Sequence, residues 1–334
     1  MGLRTRLTEQ YGLDVPVVSA GMAFVARAPL AAAVSQAGGL GTVGASMMTP
    51  ELLDSEIAAV RGVTDRPFGV NVIPRFGTDE LIAAAAAARV PVVTFFWDEP
   101  GAGWIATLQE AGTRVWVQVG SPEEARAAVD MGADALVVQG AEAGGHNRSV
   151  AATTTLVPAV TDAVGVPVIA AGGIADGRGL AAVLALGASG ALLGTRFVMS
   201  AEADTSAEMQ SRIAAAGVGD TARNNVFGPE FPDATVRGLR NAIVAEHEGR
   251  DQPAPYLALD PESQPVVGAT SLFGQEIALR RFAGLPPVGA TTGDYEQMSL
   301  LAGETAGLIG DVRPAGDIVR AIAAQAQEVL AGLR

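Results

Sequence analysis

From the N-terminus to about residue 200, short β-rich apolar runs alternate with Ala-rich helical stretches, and this rhythm limits the possible folds more than any other feature. The candidate strands are Pro16–Ser19, Leu40–Gly44, Phe68–Ile73, Pro91–Trp97, Arg114–Val119, Ala135–Gln139, Pro167–Ala171 and Ala191–Phe197. Between them lie helical patterns near Ala28–Gln36, Pro50–Arg61, Thr78–Ala88, Ala102–Ala111, Pro122–Met131, Thr155–Val164 and Gly177–Leu186. Thr49-Pro50 and Ser121-Pro122-Glu123-Glu124 place a capping hydroxyl and early acids at helix starts. Gly132 and Gly187 follow helices where a left-handed C-terminal cap belongs. The strands are apolar throughout rather than alternating, which implies a parallel sheet buried on both faces. Eight such units predict an α/β fold, a (β/α)8 TIM barrel, with a doubly wound open sheet as the alternative.

Beyond about residue 200 the rhythm breaks. Gly217, Gly219, Gly228, Pro229 and Pro232, a helical stretch Thr235–Glu248 and the run from Pro253 to Pro265 predict a helical lid or small subdomain. An amphipathic helix, Ala315–Leu333, closes the chain. The domain reading is a barrel over residues 1–215, a lid or substrate subdomain over 216–312, and a C-terminal helix over 313–334 packed back on the barrel.

Composition then narrows the chemistry. The chain holds 22 Arg and Lys together, all of them Arg, with no Cys and two His, His146 and His247. Without Lys there is no Schiff base and no Walker-A clamp; without Cys there is no thiolate nucleophile, disulfide or Cys-ligated metal. No metal is expected. Arg holds anions but is a poor proton shuttle, so proton work at neutral pH falls to His, carboxylates or Tyr. A net charge of −14 argues against nucleic acid or an anionic membrane as partner. The apolar run near Leu81–Ala88 is too short to span a bilayer, and Met1-Gly2-Leu3-Arg4-Thr5-Arg6 opens no signal peptide. The expectation is a cytoplasmic protein acting on a small molecule.

Three motifs invite a chemical reading. Gly39-Leu40-Gly41-Thr42-Val43-Gly44 spells the dinucleotide fingerprint, but a helix precedes it and a strand follows, the reverse of what pyrophosphate binding needs. It reads as a tight turn into a closely packed strand. Ala171-Gly172-Gly173-Ile174 follows the seventh strand and Gly194-Thr195-Arg196 ends the eighth, the two places where barrels commonly bind phosphate through bare amides. Thr195 would add a hydroxyl and Arg196 a charge. Gln139-Gly140-Ala141-Glu142-Ala143-Gly144-Gly145-His146 leaves the sixth strand and puts a histidine, unperturbed pKa ~6.5, on a glycine-rich loop at the C-terminal face. His247 sits among acids on a helix and reads as a surface residue.

Pro16-Val17-Val18-Ser19-Ala20-Gly21-Met22-Ala23, Ala37-Gly38-Gly39-Leu40-Gly41 and Phe68-Gly69-Val70-Asn71 resemble the opening of the nitronate monooxygenase family. Glu142–His146, Ala171–Ile174, Gly194-Thr195-Arg196-Phe197, Arg237-Gly238-Leu239-Arg240-Asn241 and Gly303-Glu304-Thr305-Ala306-Gly307-Leu308-Ile309 continue the resemblance in order, across about residues 10 to 320. It implies an FMN-dependent (β/α)8 barrel with a helical lid. Gly21, Met22 and Ala23 would run along the flavin ring, Asn71 would hydrogen-bond it, and Gln118 would lie near the ring or ribityl chain. Gly144 and Gly145 would sit beside it, and Gly172, Gly173, Gly194 and Thr195 would hold its phosphate. His146 falls on the family's catalytic base. Gln118 stands where relatives often carry Lys, and Glu304 where many carry Gln.

The implied reaction is oxidation of alkyl nitronates with O2 to carbonyl compounds and nitrite, under an apolar wall drawn from Met22, Phe95, Phe96 and Trp97. Strand alternation lets at most two of the three consecutive aromatics reach the pocket. The same barrel serves NAD(P)H:quinone reductases and flavin-dependent enoyl-ACP reductases, for which NAD(P)H replaces O2 as co-substrate. A flavin carrier without turnover and a non-flavin sugar-phosphate barrel are the readings from other classes. IMP dehydrogenase shares the glycine pattern, but its Cys nucleophile has no counterpart here.

Overall fold

A computed structural model describes residues 3–229, 231, 234–248 and 260–333. Helix α1 (Arg6–Tyr11) precedes β1 (Val17–Ser19), α2 (Ala28–Gln36), β2 (Gly41–Gly44), α3 (Pro50–Arg61), β3 (Phe68–Val72), α4 (Asp79–Ala87) and β4 (Val92–Phe95). Next come α5 (Trp104–Glu110), β5 (Arg114–Val119), α6 (Pro122–Asp130), β6 (Ala135–Gln139), a short β7 (Gly145–Asn147) and α7 (Thr153–Thr161). Then follow β8 (Val168–Ala171), α8 (Gly177–Ala185), β9 (Gly190–Leu193), α9 (Thr195–Val198) and α10 (Ala207–Ala215).

Eight of these strands form one parallel sheet in the order β1-β9-β8-β6-β5-β4-β3-β2. The free edges meet through a parallel bridge between Val18 and Leu40, where Leu40 N–H donates to Val17 O at 2.9 Å and Ser19 N–H to Leu40 O at 3.0 Å. The fold is the (β/α)8 barrel, not the open sheet. Pro at the first helical turn and Thr49 and Ser121 accepting from amides three residues on explain where α3 and α6 begin. Gly132 and Gly187 take the left-handed conformation after α6 and α8.

The barrel interior and the strand–helix layer are distinct cores. Val18, Leu40, Val92, Trp116, Val137 and Ile169 fill the inside, with Leu7 from α1. Val70, Val93, Val115, Val117, Leu136 and Val138 face the helices. Trp116 donates from Nε1 to the Tyr11 hydroxyl at 2.8 Å, with the rings edge to face at 5.1 Å. Burial pushes the Tyr11 hydroxyl pKa up to about 12, so it stays a neutral hydrogen-bonding group. The α1 plug seals the N-terminal end and leaves the C-terminal end for a ligand.

The eighth strand is shorter than its apolar run suggested. It ends at Leu193, and Gly194 turns the chain into α9, so Thr195–Phe197 are helical. The insertion also departs from expectation, because it contains strands as well as helices. Thr235–Glu248 is not one helix: Thr235–Leu239 is β11, and α11 (Ala242–His247) starts only after Asn241, whose side chain accepts from Val244 N–H. Strand β11 pairs with β10 (Thr221–Asn224) on one side and with β7 on the other. A second small sheet joins β12 (Val266–Leu272), β13 (Gln275–Arg280) and β14 (Thr292–Gly293). Met1, Gly2, Pro232 and residues 253–259 of the Pro-rich run lie outside the described residues. The closing helix α12 (Ala315–Gly332) packs against α8 and α2, and its Gln325 accepts from Gly177 N–H at 2.8 Å. Among the described residues, no helix is long and apolar enough to cross a membrane.

The glycines of the false dinucleotide motif are packing devices. A Cβ on Gly41 would lie 1.8 Å from the Ala31 carbonyl oxygen of α2, whereas one on Gly62, in an ordinary right-handed conformation, would meet nothing closer than 3.4 Å. Gly41→Ala is expected to lower stability by about 3 kcal/mol or more, because backbone rather than a side chain must move. Gly62→Ala is expected to be neutral or to stabilise by about 0.5 kcal/mol, and urea unfolding of the two variants measures the contrast.

Candidate active site

At the C-terminal end of the barrel lies a cavity of about 250 Å³. It collects the expected residues Gly21, Met22, Ala23, Asn71, Gly144, Gly145, His146, Gly172, Gly173, Gly194 and Thr195 from the ends of five barrel strands. Gly21 is obligatory there, since a Cβ would stand 2.2 Å from Asn71 Cβ. The buried Asn71 amide donates from Nδ2 to Thr94 O at 3.1 Å, which fixes its orientation at the cavity floor.

The β8 and β9 ends form a donor cradle. Gly172 and Gly173 adopt φ of 95° and 74°. Among the described residues, no backbone acceptor takes the amides of Gly172, Gly173 or Gly194. A Cβ on Gly194 would have nothing nearer than Ala20 Cβ and Met22 Sδ at 3.9 Å, so this glycine opens onto space rather than packing. The Thr195 hydroxyl accepts from Gly303 N–H at 2.9 Å and keeps its own proton to donate. These donors suit a phosphate monoester. Arg196, expected to add charge, does not face the cavity. Its guanidinium donates to Asp311 Oδ1 at 2.9 Å, Asp311 O at 2.6 Å and Met199 O at 3.0 Å, so it ties α9 to the segment before α12.

The opposite side of the cavity is aromatic. His146 lies on β7, where its backbone pairs with Val236 of β11, so the glycine loop is itself part of a sheet. Its ring packs 4.1 Å from the Phe231 ring and 5.7 Å from Trp97. Nε2 is buried without a hydrogen-bond partner. Burial, aided by the Arg75 charge, lowers the His146 pKa to about 4, well below the value expected from sequence alone. Arg75 is held by Asp98 at 2.8 and 3.0 Å and lies 4.5 Å from the centre of the Phe231 ring. Neither Arg75, in a single 3-10 turn over Pro74–Phe76, nor Phe231 stood out in the sequence, and each reaches His146 only through the fold.

One expected wall residue and one residue expected near the flavin are placed away from the cavity lining. Phe95 points to the helix layer and stacks on Trp104 at 5.9 Å, while Phe96 and Trp97 line the cavity. Gln118 lies behind the wall rather than on it: its amide donates to Gln139 Oε1 at 2.6 Å and accepts from Trp97 N–H at 2.8 Å. His247, away from the site, bonds Ile243 O of its own helix at 2.9 Å. Backbone strain gathers here, since Phe24, Met47 and Trp97 all line the cavity with φ of 65°, 64° and 86°. Each left-handed bulky residue costs on the order of 1–3 kcal/mol and persists only where its surroundings over-determine it.

The low His146 pKa carries a stability consequence. The unfolded chain takes up a proton as pH falls through 6.5, while the native imidazole resists until about 4. Stability is therefore full above pH 6.5 and falls between 6.5 and 4, by about 1 kcal/mol per pH unit from this group. His146→Gln should flatten that part of the curve in urea titrations run from pH 7 to 4.5.

A family model for nitronate monooxygenases matches residues 4–80 and 74–325. Over 96% of its own length and 96% of the relative's, the chain is 36% identical to the (3aS,4S,5R,7aS)-5-hydroxy-7a-methyl-1-oxo-octahydro-1H-indene-4-carboxyl-CoA dehydrogenase of Mycobacterium tuberculosis. It is 30% identical to a probable nitronate monooxygenase of Staphylococcus aureus, over 86% of this chain and 93% of that one. Among solved structures, FabK from Thermotoga maritima superposes with a TM-score of 0.81 at 36% identity, covering 99% of this chain and 98% of that one. A nitroalkane oxidase from Streptomyces ansochromogenes does so at 0.77 and 30% identity, covering 98% and 99%.

Proposed function

The chain belongs to the nitronate monooxygenase family, and from that premise we propose that it is an FMN-dependent oxidoreductase that oxidises alkyl nitronates with O2 to carbonyl compounds and nitrite. One observation carries the reading: a neutral histidine, its buried Nε2 without a hydrogen-bond partner, lines an apolar cavity that also holds a cradle of amide donors. Leaving such an atom unpaired costs about 1–3 kcal/mol, which a substrate that bonds it recovers.

The residues fit the cofactor. The amides of Gly172, Gly173 and Gly194 and the Thr195 hydroxyl would take the FMN phosphate, with Gly21, Met22, Ala23, Asn71, Gly144 and Gly145 along the remainder. FMN, when bound, supplies the electron acceptor that a chain without Cys or Lys lacks. Phe96, Trp97 and Phe231 exclude water and pack the alkyl body of the substrate. His146 in its Nδ1–H tautomer presents Nε2 to the acidic C–H of a neutral nitroalkane and accepts that proton. The resulting imidazolium is destabilised by burial and by Arg75, so it releases the proton readily. It would also donate a hydrogen bond to a nitronate oxygen while charged.

A second reading is favoured by the 36% identity, over nearly the whole of both chains, to a dehydrogenase of a carboxyl-CoA. In it the same cavity takes an acyl thioester, or a quinone-like acceptor, and a nicotinamide nucleotide replaces O2 as the redox co-substrate. Anaerobic mixing separates the two. The purified protein is expected to be yellow and to bleach with an alkyl nitronate; rapid bleaching by NADH or NADPH, with none by nitronate, would overturn the first reading in favour of the second.

The proton-accepting form of His146 is the neutral one, so kcat/KM for a neutral nitroalkane should hold level from about pH 8 to 5 and fall only as pH drops through about 4. His146→Ala should lower that kcat/KM by roughly 10²- to 10⁴-fold while sparing the preformed nitronate, which has no proton to lose. Equal losses on both substrates would remove His146 from the role of base.

A further inference from the structure

Trp97 breaks the alternation of its own strand. Phe95, the last residue of β4, faces the helix layer, and Phe96 faces the cavity. Strand periodicity would turn residue 97 back towards the helices. Trp97 lines the cavity instead, because its backbone takes a φ of 86°, a conformation rare for a bulky side chain.

Both polar groups of this residue's backbone are held by side chains from neighbouring barrel units. The Trp97 N–H donates to Gln118 Oε1 at 2.8 Å, and the Trp97 carbonyl accepts from Arg148 Nη1. Neither anchor can drift. Gln118 is 4% exposed, and its Nε2 is fixed on Gln139 Oε1 at 2.6 Å. Arg148 is gripped by Glu124 through Nε at 3.1 Å and Nη2 at 2.9 Å, and Glu124 also accepts from Gly120 N–H at 2.7 Å. Thus held, the indole stands 5.7 Å from the His146 ring and 6.0 Å from Phe231.

We infer that Gln118 is a positioning residue that, with Arg148, locks the Trp97 backbone in its left-handed turn so that the indole walls the substrate lobe beside His146. The role of that lobe rests on the functional reading above; the lock itself does not. Gln118 accordingly acts on substrate fit through Trp97, and it is not among the residues that line the cavity.

The test compares Gln118→Met, which removes the acceptor at similar size, with Gln118→Glu, which keeps an acceptor and lets the Gln139 amide rotate to donate. Hydrogen exchange of the segment spanning residues 94–100, followed by mass spectrometry on the full-length protein, reads the lock with no substrate present. In the Met variant exchange there should accelerate at least about tenfold, with β5 unchanged, and the Glu variant should restore it. For whichever substrate the protein turns over, KM should rise about tenfold with kcat within about threefold and visible absorbance retained, because fit rather than chemistry is disturbed. Arg148→Met cuts the other bond and should raise KM in the same way, so the conclusion does not depend on one variant folding. Unchanged exchange in Gln118→Met, no rescue by Glu, or loss of bound flavin with exchange intact would overturn the proposal, the last by making Gln118 a cofactor ligand. If nitronates prove not to be substrates, the exchange result still decides the lock, so the two readings fail separately.

Discussion

At a set of glycines backbone meets backbone in this protein, and the seating of its parts depends on that close approach. Leu, Ile, Val and Phe fill most of the layer between helices and strands, but where glycine stands at a contact the main chains touch directly. The Ala31 carbonyl occupies the volume a side chain at residue 41 would need, and Gly144 and Gly303 leave no room for a Cβ where the insertion settles on the loop after β6. There Glu304 N–H donates to Glu142 O at 2.9 Å while Gly303 N–H reaches Thr195. The insertion is therefore bonded to both sides of the cavity mouth. In a looser interior of larger side chains, that contact would become a side-chain interface several ångströms thicker.

The electrostatic design follows from what the chain lacks. With a net charge of −14 and no Lys, the field of the whole molecule opposes an anion, and the arginines are largely committed elsewhere. Arg27 pairs with Glu56, Arg75 with Asp98, Arg148 with Glu124 and Arg196 with Asp311. An anion at the β8–β9 end must be held by amides and a hydroxyl, which are donors that carry no net charge and do not titrate. At the aromatic end, burial beside Arg75 keeps His146 neutral. One end of the cavity thus presents fixed dipoles that favour negative charge, and the other carries the neutral imidazole.

The barrel was legible because its signals are local. Apolar runs, N-caps and Gly after helices located most barrel elements to within two residues, and the glycines after the last two strands marked the donor cradle. Failures arose where long-range contacts decide. Thr235–Leu239 has a sequence compatible with a helix and becomes a strand because β7 and β10 flank it. Arg196 looked like a phosphate ligand until Asp311, more than a hundred residues away, claimed it. The hydrogen bonds of Gln118 to Trp97 and Gln139 are likewise a pairing that periodicity does not encode. Arg75 and Phe231 carried no signal, since an arginine and a phenylalanine far apart in the chain become significant only at 4.5 Å.

The same long-range pairing explains why a histidine on a glycine-rich loop is held in place. Gly145 and the residues around it would leave an isolated loop free to wander, and a base must be fixed to within a fraction of an ångström to be effective. Here His146 is the middle residue of a strand, paired with Val236, and β11 is paired in turn with β10. The histidine therefore moves only if the three-stranded sheet of the insertion moves. Seating the insertion and placing the imidazole are one structural event, and the glycines supply the close approach that lets the sheet form over the cavity. A displacement of β11 would therefore carry the backbone of His146 with it, because the two are joined by a single strand pair.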